Sequence, residues 1–104
     1  MGHYREIYDR SLTDPEGFWA EAAERVTWDQ RWERVLDDRD APFYRWFTGG
    51  KLNTCYNCLD RHVENGRAEQ AALIHDSPVT GTLTTYTFAQ LREAVARFAG
   101  VLRD

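Results

Sequence analysis

The chain has 104 residues, 42% of them hydrophobic, with four Trp, five Tyr and five Phe, and a formal net charge of −4. That length suits one compact domain and is short for two, and the aromatic content predicts a packed core instead of a disordered tail. The 13 basic residues are scattered, Lys51 being the only lysine, which excludes a nucleic-acid footprint, and no apolar run approaches the roughly 18 residues of a membrane helix.

The opening MGHYREIYDR has no apolar signal-peptide core, and Glu6 stands where a myristoylation motif needs Ser or Thr. Two cysteines without a secretory signal predict reduced thiols in a cytoplasmic protein. The first predicted element is a helix over residues 15–26. Asp14 is its N-cap, Pro15 its first residue, Glu16 meets the positive end of the dipole, and Phe18, Ala22 and Val26 recur at helical spacing. A second short helix is expected over 29–36, where Trp32, Val35 and Leu36 share one side.

The polar run DDRDAP, 37–42, reads as a linker, with Asp37 and Asp38 solvated in it. FYRWFTGGKLN follows as an aromatic run and a Gly-Gly turn, too irregular to predict as a strand. Residues 54–65 turn helical again, with Asn53 placed to cap and Gly66 to stop the helix. Residues 71–75 read as a buried strand able to pair with 82–86 across DSPVTG. The clearest element is last. Thr87 and Gln90 form a capping box ahead of Leu91, Val95, Phe98 and Leu102, an apolar stripe that must pack on something. The expected fold class is α+β, with three main helices, a small hairpin and irregular wrapping segments.

Cys55, Cys58 and His62 are the chemically suggestive trio. At about 100° per residue they fall within roughly 60° of one another on an α-helix, enough to present three ligands. Structural zinc takes four, normally from two separated pairs, and the other histidines, His3 and His75, lie singly near the terminus and in the strand. The favoured reading is that the cysteines fill a helix face and that His62 is a satisfied helix histidine. Thioredoxin-type chemistry needs a strand directly before the cysteines in a βαβ unit, and TGGKLN is not one. TGGK, 48–51, lacks the G-x-x-x-x-G-K-S/T spacing of a phosphate loop, so a turn with an exposed Lys51 is expected. Asp60 and His62, two apart on a helix, diverge by about 200° and form no relay. No complete catalytic, cofactor-binding or metal-binding set is expected in the chain.

The residues beside the cysteines carry a resemblance. Trp46, Phe47, Gly50, Leu52, Asn53, Asn57, Asp60, Arg61 and His62 match a pattern in the N-terminal segment of the AMP-forming short-chain acyl-CoA synthetases, the acetyl-CoA and propionyl-CoA synthetases. DPEGFWAEAAERVTW, with Asp14, Pro15, Phe18, Trp19, Ala23 and Trp28, resembles that family's opening helix. AALIHDSP resembles its first strand, and TYTFAQLREAVARFAGVL the capped helix after it. DSPVTGT looks more like the propionyl-CoA type.

The resemblance runs from about Tyr4 to Leu102. It implies that residues 1–104 are an incomplete N-terminal part of a ligase that activates a short acid with ATP and magnesium and passes it to CoA. The phosphate loop, magnesium-binding Glu, ribose-binding acid and C-terminal lysine of such an enzyme do not occur here, so no catalytic residue is carried over and the chain alone is expected to be inactive. Its implied role is structural, in the N-terminal portion of the adenylate-forming domain, with an apolar face left for the remainder of the synthetase or another protomer. Asn53, Asn57, Asp60, Arg61 and His62 are expected to form a structural hydrogen-bond cluster. The competing expectation is a free-standing protein-binding module that uses the same face.

Overall fold

The computed structural model describes residues 2–103. Where the length suggested one compact domain, the chain forms two compact units, Met1–Asn53 and Thr54–Asp104.

The first unit opens with α1, Gly2–Thr13, which the sequence reading did not anticipate. The signal is nonetheless present: Tyr4, Ile7, Tyr8 and Leu12 recur at i, i+3, i+4 and i+8. Asp14 divides α1 from α2, Pro15–Ala23. Its amide donates to the Arg10 carbonyl at 2.9 Å, closing α1. Its carboxylate accepts from the Gly17 amide at 3.1 Å, capping α2 as predicted. A Cβ at Gly17 would lie 2.2 Å from the Asp14 carboxylate, so the cap requires the glycine. Arg10 donates to Glu21 at 2.6 Å and ties the two helices.

α2 stops three residues before the predicted Val26. The Arg25 and Val26 amides donate three residues back to the Ala22 and Ala23 carbonyls, and the Trp28 indole N–H takes the Ala23 carbonyl at 2.9 Å. A local side chain thereby satisfies an end carbonyl that a longer helix would have used.

The predicted helix over 29–36 is instead extended. β1, Arg34–Asp37, pairs antiparallel with β2, Arg45–Thr48, in the register Arg34↔Thr48, Leu36↔Trp46 and Asp37↔Arg45. A bridge between Gln30 and Lys51 continues the ribbon. The aromatic run is therefore a strand, and Asp37 is a buried strand residue where a solvated linker was expected. The rings of Trp28, Trp32 and Phe47 meet pairwise at 5.0, 5.5 and 5.3 Å. Phe47 sits at φ 50°, unusual for a bulky side chain, and these rings hold it there. Beside it, a Cβ on Gly50 would come within 2.8 Å of the Trp28 ring, which is why the ribbon needs that glycine. Ala23, Val35 and Asp37 are buried in this unit.

In the second unit residues 54–67 are helical, with two wide π-helical turns, Tyr56–Asp60 and Val63–Arg67. Gly66, at φ 82°, breaks the helical backbone where a stop was predicted. β3, Ala71–Ser77, and β4, Thr82–Thr87, form the expected hairpin. β3 is not the buried strand expected, since Leu73 is exposed and Ile74 is 64% exposed. α3, Phe88–Arg103, starts at the predicted capping box with both bonds made: the Thr87 amide donates to the Gln90 side chain at 3.0 Å, and the Gln90 amide to the Thr87 hydroxyl at 3.2 Å. Leu59 is buried in this unit.

The architecture is α+β, as expected; among the described residues α1 is an added helix, the predicted 29–36 helix is lost to a strand, and β1–β2 is an added hairpin. Among the described residues no helix is long and apolar enough to cross a membrane.

Candidate functional site

The candidate site is the helical stretch from Thr54 to Arg67. Its two π-helical turns widen the spacing of hydrogen-bonded residues and shift side-chain phase away from the 3.6-residue period. Cys55 pairs with Asp60 five residues on, Sγ to Oδ2 at 3.9 Å, and Arg61 Nη1 donates to Asn57 Oδ1 at 3.2 Å. The Tyr56 hydroxyl donates to Glu64 at 2.8 Å, and that bond to a carboxylate pushes the phenol above its usual range.

His62 and Arg67 complete the far end. Arg67 Nη1 lies 3.2 Å from His62 Nδ1 and its Nε donates to Gln70 at 2.7 Å. Because guanidinium only donates, Nδ1 can take part in this pair only as the acceptor. Both residues pack on Phe88 at the start of α3, the His62 ring at 5.0 Å and the Arg67 guanidinium at 5.2 Å. Two backbone bonds secure the junction, Phe88 N to the Gln70 carbonyl and Ala89 N to the Ala68 carbonyl.

Of the residues expected to cluster, Arg61 bonds Asn57, Asp60 pairs with Cys55, and His62 pairs with Arg67 outside the expected set; Asn53 is exposed just ahead of Thr54 and also has an interaction partner. The reading of the cysteines as helix packing is corrected, because Cys55 and Cys58 are both exposed, free thiols. Among the described residues no three His, Cys, Asp or Glu side chains converge to hold a metal ion.

TGGK does not fit a nucleotide's phosphates. The Gly50 amide donates to the Phe47 carbonyl at 3.0 Å within the turn and the Lys51 amide to the Gln30 carbonyl at 2.9 Å across the ribbon, so both amides are already engaged. The Gln30 side chain further takes the Gly49 carbonyl at 2.9 Å.

The strongest electrostatic feature was not anticipated. Arg39 grips Asp37 through Nε to Oδ1 at 2.8 Å and Nη2 to Oδ2 at 2.6 Å, and its amide adds a third bond at 3.2 Å. Those bonds hold the carboxyl far below the ordinary carboxylate range, against the opposing effect of desolvation. An acid two residues before an arginine at a strand end is the signal, but it matters only once the strand is known. The cleft beside this pair, lined also by Asp40, Phe43 and Arg45, has one of its two arginines already neutralised.

The sequence profile of the family described as Acetyl-coenzyme A synthetase N-terminus matches residues 4–58. The chain is 46% identical over 101 residues to the Bos taurus protein named Acyl-CoA synthetase short-chain family member 3, mitochondrial, covering 97% of this chain and 15% of that one. It is equally 46% identical over 104 residues to the Acetyl-coenzyme A synthetase of Burkholderia lata, covering 99% of this chain and 16% of the relative. The human short-chain family member 3 matches over 95% of this chain and 14% of its own length, again at 46% identity. The chain therefore spans about a seventh of the length of the relatives it matches, and it belongs to the acetyl-coenzyme A synthetase N-terminus family.

Proposed function

We propose that this chain is the N-terminal scaffolding and docking segment of an ATP-dependent, AMP-forming short-chain acyl-CoA ligase. In the whole enzyme, ATP with magnesium would activate the acid as an acyl-adenylate and the CoA thiol would displace AMP. Propionate is the proposed substrate ahead of acetate, on the likeness of the DSPVTGT turn. The observation carrying the proposal is the pairing of near-complete coverage of this chain with coverage of only 15% of the relative.

Apolar residues exposed on each unit support a docking role: Tyr4 (70% exposed), Ile7, Tyr8 and Leu12 on the first, and Phe98 (63% exposed), Val101 and Leu102 on the second. The proposed partner is the remainder of the synthetase or a second protomer, with no role for nucleic acid or membrane, and the proposed location is the cytoplasm. The word mitochondrial in the mammalian names describes those proteins.

ATP–pyrophosphate exchange tests the inactivity of the segment. With propionate or acetate present, the 104-residue chain is expected to give no exchange above a blank; turnover by the chain alone overturns the scaffolding role. The same exposed residues favour, as a second reading, a free-standing protein-binding module.

A further inference from the structure

Cys55 and Cys58 are exposed, free and the only cysteines of the chain. Buried structural cysteines are inert, whereas exposed ones meet small thiols and disulfides. Their spacing suits each other. Three residues apart on a helix puts two Cα atoms about 5 Å apart, inside the range of roughly 4.4–6.8 Å spanned by disulfides. The Cβ atoms start about 5–6 Å apart, against about 4 Å in a bridge, so closure must draw them together by an ångström or more.

The backbone can take up that movement at this place. Cys55 is the second residue of the helical stretch, and Cys58 lies in the π-helical turn Tyr56–Asp60, which already departs from α geometry. A bridge drawn across so short a span stores strain, and strained or exposed disulfides are the readily reduced ones.

We propose that Cys55 and Cys58 form a redox-labile dithiol that closes to an internal disulfide and reopens in small thiols. The oxidant is a low-molecular-weight disulfide of the glutathione class. One cysteine thiolate attacks it, forming a mixed disulfide and expelling one glutathione thiolate. The second cysteine then attacks the protein sulfur, expels the second glutathione and leaves the intramolecular bond. Two protein thiols are oxidised, one glutathione disulfide is reduced to two thiols, and the protons pass through solvent. This differs from oxidoreductase chemistry on a βαβ scaffold, which the fold does not provide; the pair is a modifiable site on a helix.

The test equilibrates the 104-residue chain in reduced and oxidised glutathione mixtures, traps free thiols with iodoacetamide and reads intact mass. A single transition is expected, from a species carrying two carbamidomethyl groups to an unalkylated one two hydrogens lighter than the reduced chain, with the same midpoint after roughly tenfold dilution of the protein. Cys55→Ser and Cys58→Ser are each expected to stop at a stable mixed disulfide. Stepwise addition of two glutathiones, cross-linked dimers without an internal bridge, or two alkylations across the whole series would overturn the proposal.

Discussion

At Asp37 a carboxylate gives up most of its water to the β1–β2 ribbon and receives the Arg39 guanidinium on both oxygens. A carboxyl whose folded pKa is depressed stabilises the fold above the unfolded value, about 4, and that contribution fades as pH falls through the folded value. Asp37→Asn is therefore expected to lower the urea midpoint near neutrality, with the gap to the parent narrowing steadily below about pH 4. A gap that stays constant or widens in acid would contradict the pairing. Gly50 is the second residue-scale determinant. Gly50→Ala drives a methyl into the Trp28 ring at 2.8 Å and against the Phe47 carbonyl at 3.0 Å, so a loss of about 1–3 kcal/mol is expected in urea denaturation. Gly66→Ala makes a useful comparison, since nothing lies within 4 Å of its Cβ position and only the positive φ is strained. The sequence makes Gly50 visible as part of a turn, but its contact with Trp28 depends on pairing across some 20 residues and was not legible.

Elements whose signals are local are legible in the sequence. The α2 start follows from Asp14, Pro15 and the Gly17 amide, all within four residues. The α3 start follows from Thr87 and Gln90, whose two bonds close on each other. Thr87→Ala removes the side-chain acceptor for the Gln90 amide and should cost about 1 kcal/mol, seen as faster hydrogen exchange in the first turn of α3 with the β3–β4 amides little changed. Thr87→Ser should restore protection. The misread elements share a different cause. Trp32, Val35 and Leu36 fit a helical stripe, yet β1 forms because β2, the next strand across an irregular loop, supplies its hydrogen bonds, and a four-residue strand carries almost no period of its own. A regular 3.6-residue period puts the cysteines on a packed α-helical face. The π-helical turns change that phase, and no residue type in YNCLDRHVENGR announces them.

Across the whole molecule, the apolar residues outnumber the places the two units offer them. Only Ala23, Val35 and Leu59 are buried hydrophobics among the described residues, while aromatic and aliphatic side chains on α1, α3 and the β3–β4 hairpin face outward. A sequence-level count of hydrophobic residues predicted a packed core; the structure places much of that content on surface. The candidate site was legible as a family pattern before it was legible as geometry: Asn57, Arg61 and His62 stood out in the sequence, whereas Arg67 and Phe88, which hold His62, did not. The proposed role as part of a larger ligase makes a claim about size. Coverage of 15% of a relative implies a native species roughly six to seven times heavier than the 12.1 kDa of this chain. An antibody raised against the segment, used on an extract of the source cells, reads that mass directly. A single band in that heavier range is expected, and a band at the mass of the 104-residue chain with no larger species would contradict the proposed role.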